Sequence, residues 1–144
     1  MAFSLLIVED DPDEMALLSI IFRKYFPSWK FLFLSEYDEL MDFLTNGSIV
    51  SFILLDMHLV VNNGTMIVSE IRQLHWYTQI PIAGYSSACS PSAVANFLEN
   101  GGDYFFEKPY SLDEIVAQLK ELPYLQPNTN RTIKTHTYLQ SFRS

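Results

Sequence analysis

Asp10, Asp11, Asp56, Ser86 and Lys108 are the side chains of this 144-residue chain whose types and placement suit one reaction. Each stands at or just past the end of a short apolar run: Phe3–Val8, Phe52–Leu55, Ile80–Tyr85 and Tyr104–Phe106. Three carboxylates gathered in one pocket repel each other, and a hard divalent cation removes that conflict. Mg2+ takes oxygen ligands in octahedral geometry, keeps several waters and binds phosphate oxygens. Lys108 offers a second positive charge for a phosphoryl oxygen, and Ser86 offers a hydroxyl donor. Asp56 is then a carboxylate nucleophile able to attack phosphorus and form an acyl phosphate, with cation and lysine stabilising charge on the transferring group.

The elements that must position these groups are legible in the chain. Ser51-Phe52-Ile53-Leu54-Leu55 runs into Asp56 without alternation, which reads as a strand covered on both faces. Asp56 then sits at the carboxyl end, where open α/β sheets place their crevice. Further strands are predicted at 3–8, 30–34, 80–85 and 103–106. Helices are predicted between them. Pro12 with Asp13 and Glu14 opens one that runs to about Phe26. Ser35 is placed to cap Glu36–Leu44, and Asn46-Gly47 to stop it. Met66, Ile67, Ile71 and Leu74 mark a third helix. Ser90-Pro91 opens a fourth through Leu98, ended by Gly101-Gly102, and Ser111 caps a fifth from Leu112 to about Leu122. Five strand–helix alternations imply a doubly wound α/β fold with a parallel sheet and helices on both faces. All strand ends that carry the chemistry then point the same way.

Composition narrows the function classes. Residues 1–121 carry all 17 acids and six of the nine bases, hence −11, whereas residues 122–144 carry Arg131, Lys134 and Arg143 and no acid. An acidic body argues against direct nucleic-acid binding. No apolar run approaches the ~20 residues that span a bilayer, and the chain start lacks a secretory pattern, so a cytoplasmic protein without membrane partners is expected. The single cysteine, Cys89, excludes a disulfide framework and reads as a small filler. His58, His75 and His136 lack ligand spacing for zinc. Trp29 and Trp76 read as packing residues, and Glu9 as a solvated neighbour of the two aspartates. Pro123–Asn130 reads as a linker, and Thr132–Leu139 as a stretch able to add a strand to a sheet edge.

Taken in order, these residues resemble the receiver domain of two-component response regulators. Leu6-Ile7-Val8-Glu9-Asp10-Asp11-Pro12 is similar to the family's first-strand signature. Leu54-Leu55-Asp56, with Gly64 eight residues on, is similar to its phosphoacceptor motif. Ser86 stands thirty residues after Asp56, and Lys108-Pro109 fifty-two after it, where the family has Ser or Thr and Lys-Pro. The resemblance implies a receiver domain over 1–121, with strand order 2-1-3-4-5, and a tail over 122–144 without an output domain. It implies Asp56 as phosphoacceptor, and Mg2+ held by Asp11 directly, Asp10 through water, Asp56, and the backbone carbonyl of His58. Ser86, Lys108 and Phe105 would respond to the phosphoryl group. Phe105 stands where the family has its switch aromatic, coupling the pocket to the face of the fourth helix, fifth strand and fifth helix. The implied partners are a sensor histidine kinase or phosphotransfer protein and a downstream protein, with pairing of two copies as a further outlet. The role the resemblance implies is that of an acceptor in phosphoryl transfer, with room for slow autodephosphorylation, and not that of an enzyme.

Departures from the family pattern keep other readings open. Val60 replaces the usual Pro and Ser87 the usual Ala; the Ser87 hydroxyl is expected to hydrogen-bond the phosphoryl group or crowd its entry, and the His58 side chain to modulate hydrolysis of the acyl phosphate. A pseudo-receiver that binds partners without turning over phosphate is the main alternative. An aspartate-nucleophile phosphatase needs a second acid two residues past the nucleophile, where His58 stands. A flavodoxin-type cofactor binder needs a phosphate-cradling first turn, and this one carries acids. Phe105 is also readable as plain core, Asp10-Asp11 as helix-dipole stabilisation, and Lys108 as a surface lysine.

Overall fold

The computed structural model describes residues 2–57, 64–74, 79–87 and 90–127. Within them five parallel strands, β1 (Ser4–Val8), β2 (Lys30–Leu34), β3 (Phe52–Asp56), β4 (Ile82–Ser86) and β5 (Tyr104–Glu107), form one sheet in the order 2-1-3-4-5. The intervening helices are α1 (Pro12–Tyr25), α2 (Tyr37–Thr45), α3 (Gly64–Gln73), α4 (Pro91–Glu99) and α5 (Leu112–Glu121). Leu5, Ile7, Phe52, Leu54, Ala83, Tyr104 and Phe106 pack on one face against Leu18, Phe22, Val116 and Leu119 of α1 and α5. Leu6, Val8, Ile53, Leu55, Ile82 and Phe105 pack on the other against α2, α3 and α4. Alternating side chains thus feed two cores, which is why the strands read as unbroken apolar runs.

The helix starts follow local chemistry. Asp11 caps α1, its carboxylate accepting from the Asp13 N–H at 3.0 Å ahead of Pro12. Ser90 and Ser111 cap α4 and α5, accepting from the N–H groups of Ala93 and Glu114, each at 3.2 Å. Ser35 does not cap α2: Glu36 holds the cap position, and the Ser35 hydroxyl donates to Glu39 Oε1 at 3.3 Å instead. Asn100 caps the carboxyl end of α4 and is followed by Gly101 at φ +117°, a left-handed backbone that disfavours any side chain.

Two expectations change at the amino end of the sheet. Asp103 precedes β5 rather than joining it, and is buried. It accepts from the Ile82 N–H at 2.8 Å and pairs with Arg72 at 2.5 Å, while Arg72 also donates to the carbonyls of Ile80 and Gly101. This network ties the end of α3 to β4 and β5. The segment after α5 is not a loose linker at its start. Leu122–Tyr124 forms a 3-10 turn with Leu122 buried, and the Tyr104 hydroxyl donates to the Gln126 carbonyl. The predicted strand at 132–139, together with His136, His75, Trp76 and Cys89, lies outside the described residues. Trp29 does pack as core, stacked on Phe26 at 4.2 Å between ring centroids.

Candidate functional site

Strand parity decides which side chains meet at the carboxyl edge. Leu5 and Ile7, Phe52 and Leu54, Ala83, and Tyr104 and Phe106 face the α1/α5 layer. Positions 9, 56, 85 and 108 continue that face. The Glu9 N–H donates to Leu34 O at 3.0 Å and the Lys108 N–H to Ser86 O at 2.8 Å, so backbone pairing extends past the strand ends as far as these residues. Glu9, Asp56, Tyr85 and Lys108 consequently converge.

The Lys108 ammonium stands 3.5 Å from Asp56 Oδ2, 3.8 Å from Glu14 Oε1 and 3.9 Å from Glu9 Oε2, and 4.5 Å from the centroid of the Tyr85 ring. Asp56 is 3% exposed and Glu9 0%, while Asp10 is exposed at the rim. Carboxylate oxygens of Glu9, Asp10 and Asp56 all lie within 4.8 Å of one another. Glu9 Oε1 accepts from the backbone N–H groups of Asp10 and Asp11, each at 3.1 Å, and Oε2 accepts from the Tyr85 hydroxyl at 2.6 Å. Burial pushes the Glu9 carboxyl up to about 7, with nearby Asp56 adding to the rise and the Tyr85 and Asp11 hydrogen bonds opposing it. The Tyr85 phenol is raised above its ordinary value, first by burial and then by donating to Glu9.

The acid set differs from the expected one. Glu9 is not solvated: it is fully buried inside the pocket. Asp11 is not part of the carboxylate cluster, because its side chain is exposed and serves as the α1 cap. The chain leaves β1 at Val8 and must begin a helix at Pro12, so the third acid is turned outward to the helix start and the first two face the pocket. Ser86 ends β4 at the same edge, half-buried and opposite Glu107 in register, and Ser87 follows it exposed. Phe105 lies on the opposite sheet face, 2% exposed, edge-on to Phe97 of α4 at 5.6 Å. Gly84 makes room for it: a Cβ there would stand 3.1 Å from Phe105 Cδ2 and 3.0 Å from Met57 Sδ. His58 and its carbonyl, with Val60, lie outside the described residues. Tyr85 and Glu14 were missed by sequence reasoning. The parity of β4 was the available signal for Tyr85, since position 85 shares a face with Asp56 across the β3–β4 register.

The donor set suits a hard cation. Oxygens bound at ~2.1 Å lie about 3 Å apart when adjacent on an octahedron and about 4 Å when opposite. Three carboxylate oxygens already within 4.8 Å need only small shifts or bridging waters to reach that spacing.

The family model for the response regulator receiver domain matches residues 5–120. The chain belongs to this receiver-domain family. The receiver domain is 31% identical over 117 residues to the transcriptional regulatory protein YxdJ of Bacillus subtilis, covering 81% of this chain and 48% of that protein. It is 35% identical over 68 residues to the transcriptional regulatory protein KdpE of Staphylococcus aureus, covering 47% of this chain and 28% of that one. The chain thus spans half or less of the curated relatives it matches. In fold it is similar to the response regulator RPA3017 in red light signaling of R. palustris, with TM-score 0.74 at 18% identity, covering 88% of this chain and 99% of that one. Among the described residues no helix of the receiver domain is long and apolar enough to cross a membrane.

Proposed function

We propose that this receiver domain accepts a phosphoryl group on Asp56 from a histidine kinase or phosphotransfer protein and passes the change to a protein partner. The single observation that carries the reading is Lys108 Nζ at 3.5 Å from Asp56 Oδ2, beside a three-carboxylate cluster. A buried carboxylate at a strand end is costly unless its charge is used. Asp56 has the position of a nucleophile, at the carboxyl end of β3 and on the sheet face that packs against α1 and α5.

Glu9, Asp10 and Asp56 would hold Mg2+, with the His58 carbonyl as an expected further ligand. When bound, the ion offsets the repulsion of the acids and the charge on an incoming phosphoryl group. Lys108 neutralises one oxygen of that group from within the pocket, and Ser86 stands at the same edge to donate to another. Asp11 fixes the start of α1 and so the path of the Glu9–Asp10 backbone. Binding partners that prefer the phosphorylated form would shift the receiver between two arrangements, read out on the face formed by α4, β5 and α5. Phe105, packed on Phe97, is the side chain linking β5 to α4 there.

The test is incubation with Mg2+ and acetyl phosphate followed by intact-mass measurement. The expected result is a single phosphate adduct that is lost in Asp56→Asn and retained in Asp11→Asn. Absence of any adduct in a folded, Mg2+-binding protein would overturn the phosphoacceptor reading in favour of a constitutive interaction module.

A further inference from the structure

Tyr85 is buried, with 5% of its surface exposed, and lies directly across the β3–β4 ladder from Asp56. A buried phenol needs a partner for its hydroxyl, and this one finds it in the pocket. Its hydroxyl donates to Glu9 Oε2 at 2.6 Å, the length of a charge-assisted O–H···O bond. With the Asp10 and Asp11 N–H groups on Oε1, three donors now fix the Glu9 carboxylate. The ring does a second job. Its face lies 4.5 Å from the Lys108 ammonium, within cation–π range. Lys108 has a competing acid in Glu14, which is not a member of the carboxylate cluster, at 3.8 Å. A side chain lacking ring and hydroxyl would leave Glu9 Oε2 without this donor and remove the ring beside Lys108.

We propose that Tyr85 is a positioning residue of the phosphoacceptor pocket, its hydroxyl orienting Glu9 for the cation and its ring holding Lys108 beside Asp56. The proposal rests on the phosphoacceptor reading and separates into two halves. Tyr85→Phe removes the hydroxyl and keeps the ring. Tyr85→Leu removes both. Two quantities are measured on the intact chain: the Kd for MgCl2 by calorimetry, without any phosphodonor, and the initial rate of adduct formation from acetyl phosphate at saturating MgCl2. Removing a hydrogen-bond partner of a ligand weakens metal binding about tenfold or more, so both variants should show that rise in Kd. The rate at saturating MgCl2 should fall about three- to tenfold in Tyr85→Leu and much less in Tyr85→Phe.

An unchanged Kd in Tyr85→Phe overturns the assignment. So does a parallel loss of Kd and rate in that variant together with a lowered melting temperature, which is the mark of a general packing defect. If Tyr85→Leu does not fold, the Kd of Tyr85→Phe decides the matter alone. A wild-type chain that binds Mg2+ and takes no phosphate refutes the phosphoacceptor reading instead, and the Kd comparison then still tests the Tyr85–Glu9 half.

Discussion

Glu9 gives the sharpest quantitative expectation. Its carboxyl is fully buried and raised to about 7 against an ordinary value of 4.5, burial being the main cause. A carboxyl raised in the folded chain favours folding fully below the unfolded value of 4.5. That contribution is lost as pH rises through 7, because the folded state must then release a proton it binds more tightly than the unfolded one does. The difference, about 2.5 units at 1.36 kcal/mol each, amounts to up to about 3 kcal/mol, and the Lys108 ammonium 3.9 Å away works against it. Glu9→Gln has no proton to lose and keeps an acceptor for the Asp10 and Asp11 N–H groups. Urea unfolding of the metal-free protein and the variant, at steps from pH 4.5 to 8, should show the variant gaining on the wild type. The gap should widen by up to about 3 kcal/mol over that window and level off above pH 7. Adding MgCl2 should close the gap, since a ligand that binds only the folded, ionised wild type stabilises it by mass action. A gap that stays constant with pH, or that widens toward acid, would refute the reasoning about the buried carboxyl.

Further expectations follow from single contacts. Lys108→Ala should retain its far-UV circular dichroism, since the side chain is partly exposed, while adduct formation from acetyl phosphate slows about a hundredfold or more. Arg72→Met strips the buried Asp103 of its cation and should cost about 3–5 kcal/mol in urea unfolding. The double variant with Asp103→Leu should recover part of that loss. Gly84→Ala drives a methyl to about 3 Å from Met57 and Phe105 and should destabilise by about 1–3 kcal/mol. Phe105→Leu in the same chain should relieve it, as thermal unfolding of the pair would show.

The acids illustrate how far residue types carry. Glu9, Asp10 and Asp11 are three consecutive acids after an apolar strand, and nothing in their chemistry distinguishes ligand from cap. Only the turn between Val8 and Pro12 assigns them, sending Glu9 inward, Asp10 to the rim and Asp11 to the helix start. The buried Glu9 was therefore misread as solvated, on the sound general rule that unpaired acids stay in water. Tyr85 was overlooked because a tyrosine in an apolar run reads as core. Its hydroxyl acquires meaning once Glu9, 76 positions away, is found within 2.6 Å.

By itself the sequence determined the elements and their order. Unalternating apolar runs, helical spacing and serine or proline at helix starts are local signals, set by backbone geometry within a few residues. It also determined that Asp56, Ser86 and Lys108 stand at or just past the ends of strands of a parallel sheet and so share one edge. Which carboxylates face each other was decided only by tertiary structure. Side-chain direction past a strand end depends on the turn that follows, and burial of a charge depends on layers supplied by distant segments. The pocket is made where the α1/α5 face of four strands runs out, a place no local stretch of chain defines.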